Sequence, residues 1–483
     1  MSADAGTVAV TAPKVRKRWI RALGARRAID TVGLRLAPAL TAALIVWSHC
    51  SPGQGAVIFV SVLIAGQLLA RSSFPLALMH AARIGLALAA PLIGVAGAVM
   101  VMAALETSIS FGDMAAAVVG AWLVLTLGAW IRFRVDEVAG VRIAVIGDRA
   151  FALDLAREFA AAGVRDHHLA GWIGRPGDPG NGQAWLGNLR EVRRIVLEQD
   201  IELLVVAPGD DLSEVEERSV CETVADFCLD LPVKMIGANQ LYEQLLGHVP
   251  IGTIDAAWFR YIMHPRFRAA SPLSKRVFDI AGAIFIGLLF APFLIAAAIA
   301  VRFGDGGPVL YRQRRVGENG EEFEMLKLRT MAVDAEADGI PQWSAGDDAR
   351  VTRVGRILRR SHIDELAQLW NVIRGDMTLV GPRPERPELV AQIEGQFPHY
   401  TRRHLVKPGI AGWAQLRCGY AGSDLGTAWK LCHDLYYVKH RSFLGDGLIL
   451  FETAFVTFRD AHRSLRSPAE RFLLAELHEE PRA

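Results

Sequence analysis

The sequence predicts three parts in order: a membrane α-helical bundle, a small α/β domain with a parallel sheet, and a mixed α/β domain that contains a re-entrant membrane helix. Three observations predict it. Hydrophobic residues make up 52% of the 483 positions and the mean hydropathy is +0.25, high for a wholly soluble chain. Four apolar runs crowd residues 31–135. A fifth lies far downstream, between Asp279 and Arg302, with basic residues on both flanks.

Residues 1–30 carry Lys14, Arg16, Lys17, Arg18, Arg21, Arg26 and Arg27. No apolar stretch of signal-peptide length with a small-residue cleavage site follows, so the segment reads as a basic cytoplasmic N-terminus. The four runs fall at roughly 32–50, 55–70, 84–104 and 114–131, each near the ~20 residues that cross a hydrocarbon core. The turn from Ser51 to Gly55 has no Lys or Arg and the turn from Glu106 to Asp113 is acidic, whereas Arg71 and Arg83 occupy the other loop and Arg132, Arg134 and Arg142 follow the fourth run. By the positive-inside rule both ends of the bundle face the cytoplasm. Cys50, Cys221, Cys228, Cys418 and Cys432 have neither the paired spacing of a zinc site nor the density of a disulfide scaffold, which implies a reduced bulk.

From Val141 the texture changes. VRIAVIG reads as a strand, FALDLAREFAAAG as a helix, NLREVRRIVLEQD as an amphipathic helix and LLVVAP as another strand, an alternation that predicts a Rossmann-like domain over 140–262. Its glycine fingerprint is poor: Gly147 is followed by Asp148, Arg149 and Ala150, so a dinucleotide is not the expected ligand. RPGDPGNGQ, residues 175–183, marks a loop within it.

The fifth apolar segment, about 277–302, has about 22 uncharged residues, roughly 33 Å as helix and enough to span. Lys275 and Arg276 precede it, and Arg302, Arg312, Arg314 and Arg315 follow. A crossing would carry the second basic flank outside the cell. Pro292 lies mid-segment, removes one helix hydrogen bond and makes a bend available, so the segment is expected to enter and leave on one side.

Residues 308–440 are rich in groups that handle phosphate, with cations at Lys327, Arg329, Arg359, Arg360, Arg383 and Lys407. A reaction between two anions needs such charges and usually a divalent metal. Asp364 and Glu365 are neighbours, about 100° apart on a helix, which does not suit the facing acid and base of a glycosidase. They suit divided labour, one carboxylate attacking phosphorus and the other holding a metal. By itself an Asp-Glu pair more often marks a solvated helix face; its place five residues after Arg359 and before the rigid GPRP turn, 381–384, favours chemistry.

These residues sit in KRVFD, GPVLYRQRRVGENG, KLRTM, SHIDELAQLWNV, GDMTLVGPRP, VKPGIAGWAQ and DLYYVKH, in that order. From about Lys275 to Phe458 the chain resembles the catalytic domain of the bacterial sugar transferases, the polyprenyl-phosphate glycosyl-1-phosphate transferases of the monotopic superfamily. The resemblance implies a catalytic domain over 272–460 and a tail over 461–483. It implies that Asp364 is a nucleophile forming a phosphosugar intermediate with release of UMP, that Glu365 binds Mg²⁺, that Arg359 meets the polyprenyl phosphate and that Arg383 contacts the nucleotide sugar. Lys327, Arg329, Asp376 and Asp434 fall on recurring polar positions and are implied to serve substrate binding in a general way. The family's apolar segment is a re-entrant helix broken at a proline, here Pro292.

Two positions depart from the family pattern: Ala367 stands where ELPQL has proline, and Ala411 where PG(I/L)TG has threonine. Neither removes a reacting group. The N-terminal half resembles the longer members, which place four membrane helices and a Rossmann-like domain first and commonly start exopolysaccharide or O-antigen units. The implied partners are a UDP-sugar, glucose or galactose being the common ones, undecaprenyl phosphate and inner-membrane lipid, with no nucleic acid; a homodimer is left open. Leu444 to Phe458 suits either a membrane-surface helix or a packed terminal one. Two rival readings stand beside this one: an NAD-dependent membrane-anchored nucleotide-sugar dehydratase, disfavoured by the missing glycines and the lack of a Tyr-x-x-x-Lys pair, and a non-catalytic scaffold of a polysaccharide complex.

Overall fold

The computed structural model describes residues 37–47, scattered positions between 57 and 127, most of 140–174, residues 184–207, most of 214–258, most of 272–335, and most of 350–418 and 424–459. The basic N-terminus, the third apolar run, the loops of the bundle and the tail after 459 lie outside the described residues. The chain divides into two compact units, residues 1–247 and 248–483.

In the first unit, helix α1 (Ala37–Trp47) covers part of the first apolar run. Residues 57–60 and 115–121 of the second and fourth runs are also helical. Small residues bring these segments together: Ala39, Ala42 and Val46 are buried with Ile58, Val62, Ala117 and Ala121. A Cβ at Gly120 would stand 2.5 Å from Ile45 Cδ1, so the close approach there needs glycine.

The alternation after residue 140 folds as β1 (Val141–Ile146), α2 (Arg149–Ala162), β2 (His167–Ile173), β3 (Ala184–Gly187), α3 (Val192–Glu198), β4 (Leu203–Val206), α4 (Glu214–Cys228) and β5 (Lys234–Gly237). All pairings are parallel and the strand order is β3-β2-β1-β4-β5. The central strands are continuous apolar runs because helices cover both faces: β4, LLVV, is buried at every position, and Ala144, Ile146, Ile173, Ile195, Leu204 and Val224 share one core. Gly147 closes β1 at φ +152°, where the chain turns toward α2. After β5, the short α5 (Ala238–Leu241) runs into a π-turn, Tyr242–Leu246, that ends on left-handed Gly247.

The second unit is built around helix α6 (Pro272–Asp305), the one described helix long and apolar enough to cross a membrane. It runs helical on both sides of Pro292, so the proline sits inside the helix without interrupting it. One side of α6 packs on its own unit along its length. Near the start, Arg276 donates to the carbonyls of Val372 and Ile373, and Asp279 accepts from the Thr378 hydroxyl at 2.7 Å and the Leu379 amide at 3.1 Å. Near the end, Ala297 and Val301 are buried with Leu328 and Leu358. The other side presents Val277, Phe285, Leu288, Leu289, Phe293, Ile299 and Phe303 outward, Leu288 at 73% exposure. Each such side chain forgoes about 1.5–3 kcal/mol if left in water, which marks this face for an apolar phase.

Against α6 lie an antiparallel hairpin, β6 (Leu310–Val316) and β7 (Glu322–Leu328), then α7 (Arg353–Ser361), a 3₁₀ helix Ile363–Gln368, α8 (Leu369–Arg374) and β8 (Thr378–Val380). The chain continues through α9 (Pro387–Glu394), β9 (Gly409–Ala411), α10 (Trp413–Cys418), α11 (Asp424–His440) and α12 (Phe443–Arg459). β8 and β9 pair in parallel. The segments around them cross so closely that a Cβ on Gly409 would lie 2.0 Å from the Gly381 nitrogen. A buried polar staple fixes the start of α6 to this crossing: Lys275 Nζ meets Asp446 at 2.7 Å and Asp279 at 3.1 Å, and the Tyr437 hydroxyl meets Asp446 at 2.8 Å. Thus α12, left open between surface and packed positions, is packed through Asp446, Leu448 and Ile449 and exposes Phe443 and Phe451.

Candidate active site

Strand β7 alternates its faces, and that alternation sorts the residues of KLRTM. Lys327 reaches Glu365 Oε1 at 3.0 Å, while Leu328 turns into the core against α6. Arg329 packs against Gly307, where any Cβ would collide with its guanidinium. Thr330 then does two jobs: its carbonyl accepts from Thr352, the N-cap of α7, and its hydroxyl accepts from Arg359 Nε at 2.9 Å. Gly355 permits this, since a Cβ there would lie 1.9 Å from the Thr330 carbonyl oxygen.

Helix α7 ends at His362, whose left-handed φ of 55° redirects the chain into the 3₁₀ helix that carries Asp364 and Glu365. A non-glycine residue held there stores backbone strain next to the carboxylates. In a three-residue turn the two acids point about 120° apart and acquire different partners. Glu365 Oε1 takes both Lys327 and, at 2.7 Å, Arg383 of the GPRP turn. Among the described residues no side chain hydrogen-bonds the Asp364 carboxylate, which is 7% exposed.

Burial opposes the charge of both acids, with opposite results. For Glu365 the two cations outweigh burial and hold the carboxyl well below the usual range. For Asp364 burial wins and pushes the carboxyl up, although Lys327 pulls it back. Burial likewise lowers Lys327, with Glu365 opposing, while Glu365 raises Arg383. Glu365 is thereby held as a carboxylate between its two cations.

The remaining expected residues are placed as follows. Arg359 stands at the last turn of α7 beside Thr330, on the element that leads into Asp364. Asp376 pairs with Arg374 and accepts from the Asn371 side chain at 3.1 Å, at the turn on Gly375. Asp434 is 2% exposed and faces Arg403 at 2.7 Å. Both acids are therefore engaged with protein groups. Ala411 is buried at the end of β9, and Ala367 lies within the 3₁₀ helix, which forms without a proline.

Residues 270–460 match the family described as Bacterial sugar transferase. Over 191 residues the chain is 42% identical to a UDP-glucose:undecaprenyl-phosphate glucose-1-phosphate transferase of Caulobacter vibrioides, covering 39% of this chain and 71% of that protein. The chain belongs to the bacterial sugar transferase family. It is also 38% identical over 185 residues to the exopolysaccharide production protein PSS of Rhizobium leguminosarum bv. phaseoli, covering 37% of this chain and 92% of that protein. A longer match, 37% identical over 244 residues, is to a UDP-N-acetylgalactosamine-undecaprenyl-phosphate N-acetylgalactosaminephosphotransferase of Aeromonas hydrophila; it spans 50% of this chain and only 56% of that relative's length.

In this family member, several residues beside Asp364 and Glu365 have no role that the sequence motifs assign. Asn371, fully buried, acts as a substitute strand: its side chain accepts from the Leu326 amide and donates to the Glu324 carbonyl, fixing α8 to β7. Lys275, Asp279 and Tyr437 form the staple described above. Their signal was present in KRVFD, LWNV and DLYYVKH, but a motif string does not say which of its polar residues meet each other.

Proposed function

We propose that this protein transfers a sugar-1-phosphate from a UDP-sugar to undecaprenyl phosphate, as the names of its relatives describe for them, and so initiates assembly of an exopolysaccharide or other surface glycan. The observation that carries the reading is the split between neighbouring acids: Glu365 is engaged by two cations while Asp364 is left without a hydrogen-bonding side chain among the described residues. In the first step an Asp364 oxygen attacks the sugar-bearing phosphorus, the bridging P–O bond breaks and UMP leaves with the electron pair. In the second, an oxygen of the lipid phosphate attacks the same phosphorus and the Asp364–phosphorus bond breaks, which returns the carboxylate. Lys327 and Arg383 stand where charge gathers on the diphosphate, and Arg359 lies on the approach for the lipid phosphate.

The residues suit Mg²⁺. Among the described residues no group of three or more His, Cys, Asp or Glu could hold a metal ion alone. Mg²⁺, however, commonly binds through one or two carboxylates and the substrate's own phosphates. Glu365 would hold it through the carboxylate oxygen not taken by Lys327 and Arg383, and bound Mg²⁺ would neutralise diphosphate charge.

The proposed location is the bacterial inner membrane, with several membrane helices, α6 seated in the membrane by its outward apolar face, and the catalytic part cytoplasmic. Support comes from the basic flanks of α6 and from its two ends, both of which pack on the same unit. The test is UMP release by purified protein with undecaprenyl phosphate and Mg²⁺, using UDP-glucose, UDP-galactose and UDP-N-acetylgalactosamine in turn. One sugar is expected to support release, and Asp364→Asn to abolish it. Full activity in Asp364→Asn would sink the covalent mechanism.

A further inference from the structure

The GPRP turn cannot hold itself in place. Pro382 and Pro384 have no N–H, so no ladder can run through it, and its buried carbonyls must find donors elsewhere. Donors reach the carbonyls of the turn and of its two flanking residues from five directions. The Val380 carbonyl accepts from the Tyr437 hydroxyl at 2.6 Å, Pro382 from the Gly409 amide at 2.9 Å, and Arg383 from the Arg403 guanidinium at 2.9 Å. The Pro384 carbonyl accepts from Arg315 at 3.0 Å and Glu385 from the Val316 amide at 3.0 Å.

Of these donors, Arg403 acts on the residue that matters, since it holds the backbone of Arg383. It lies in the 3₁₀ turn Tyr400–Leu405 and is 4% exposed. Its guanidinium is fixed from three sides: Asp434 at 2.7 Å, the Tyr400 hydroxyl at 2.8 Å, and the carbonyl it holds. A buried charge of this kind persists only when paired: Asp434 supplies the opposite charge and both terminal nitrogens are hydrogen-bonded, although Nε is not.

We infer that Arg403 is a positioning residue of the transferase site: with Asp434 as its buried counterion, it fixes the Arg383 backbone so that the Arg383 side chain meets Glu365. Asp434 thereby serves the site through Arg403 and not by touching substrate. The inference rests on the reaction proposed above for its kinetic consequence, and on the geometry alone for its structural one.

The experiment uses the full-length protein in detergent. Arg403→Gln is expected to lower kcat/KM for UMP release by roughly tenfold to a hundredfold, the scale of a misplaced group. Combined with Arg383→Ala, it is expected to add less than about threefold to the loss of Arg383→Ala alone, because both act through one side chain. Arg403→Lys is not expected to restore activity, since an ammonium cannot reach both Asp434 and the carbonyl in the planar geometry of a guanidinium. Multiplying losses in the double variant would overturn the inference. If the native protein releases UMP from no UDP-sugar, the functional reading fails, but the positioning claim is still read by amide hydrogen exchange over 378–390. Faster exchange confined to that segment supports it, and unchanged exchange overturns it. Should Arg403→Gln not fold, Tyr400→Phe removes one of the three restraints; it is expected to speed the same amides less, and no change there would overturn the claim.

Discussion

Two glutamates, one in each unit, are withdrawn from water and titrate in opposite directions. Glu158, on α2 of the first unit, is pushed up to about 8 by burial, with the neighbouring carboxylate of Asp154 adding to the rise. Glu365 is also penalised by burial, but Arg383 and Lys327 outweigh it and hold the carboxyl well below the ordinary range. Desolvation is common to both, so it does not tell a functional acid from a packing one. The sign is set by which charges the fold brings alongside. In the first unit the nearby Arg157 is spent on Asp154 at 3.1 Å, at the solvent edge. In the second, cations from β7 and from the GPRP turn converge on a single oxygen.

The largest break in this comparison is Lys327→Met. It removes one of the two cations on Glu365 and also the strongest influence lowering Asp364. UMP release is expected to fall by about a hundredfold or more, as for other transition-state donors. The loss should also depend on pH in a definite sense. Asp364 must be ionised to attack, and without Lys327 its pKa rises further, so the acid limb of the rate profile moves to higher pH. Activity at the acid end of the profile is then expected to suffer more than activity at the alkaline end, measured as initial rates across the whole profile. An equal loss at both would show that Lys327 does not govern the ionisation of Asp364.

The convergence of Lys327, Arg383 and Glu365 was legible as a set of residue types within named motifs, and the sheet of the first unit was legible as VRIAVIG and LLVVAP. Partners within the site were not. Asp434 reads in DLYYVKH as an acid with a general part in substrate binding, yet it faces Arg403, 31 residues earlier, because α11 packs on the turn Tyr400–Leu405. No local periodicity encodes that contact. Asp376 is similar: its meeting with Asn371 depends on the left-handed Gly375 that folds the end of α8 back on itself. Pro292 taught a different lesson. Its lost hydrogen bond was visible in sequence, but helix geometry on both sides persists: the proline removes one rung, and α6 is held by packing near its start and near its end.

In the first unit the comparison is sharpened by Glu158→Gln, which keeps the shape and removes the titration. Below about pH 4.5 the native glutamate is protonated in both folded and unfolded chains, and its contribution is fully present. Between about 4.5 and 8 the unfolded chain has released the proton and the folded chain has not, so stability falls as pH rises, by about 1.4 kcal/mol per unit within that window. Above about 8 the loss is complete. Glu158→Gln is expected to lack this slope, so that its melting temperature exceeds the native one by a margin that grows from pH 5 to pH 8. Parallel melting curves for the two proteins would mean that Glu158 is not held neutral.

The smallest effect tests the Tyr242 hydroxyl beside that acidic cluster. Tyr242, in the π-turn just before the boundary at Gly247, lowers the Glu158 pKa against the rise from burial and Asp154. Tyr242→Phe keeps the ring and its edge contact with Phe151, 6.3 Å between centroids, and removes only the hydroxyl. A single polar neighbour of this kind contributes about 0.5–1.5 kcal/mol, equivalent to at most about one pKa unit. Because the hydroxyl favours the ionised carboxyl, its loss should raise the folded-state pKa and extend the falling limb of stability beyond pH 8, while the behaviour below 4.5 stays the same. The measurement is the pH at which the native and Tyr242→Phe melting profiles level off. A plateau at the same pH in both would mean that Tyr242 does not sense the proton on Glu158, and that Asp154 and burial alone set it.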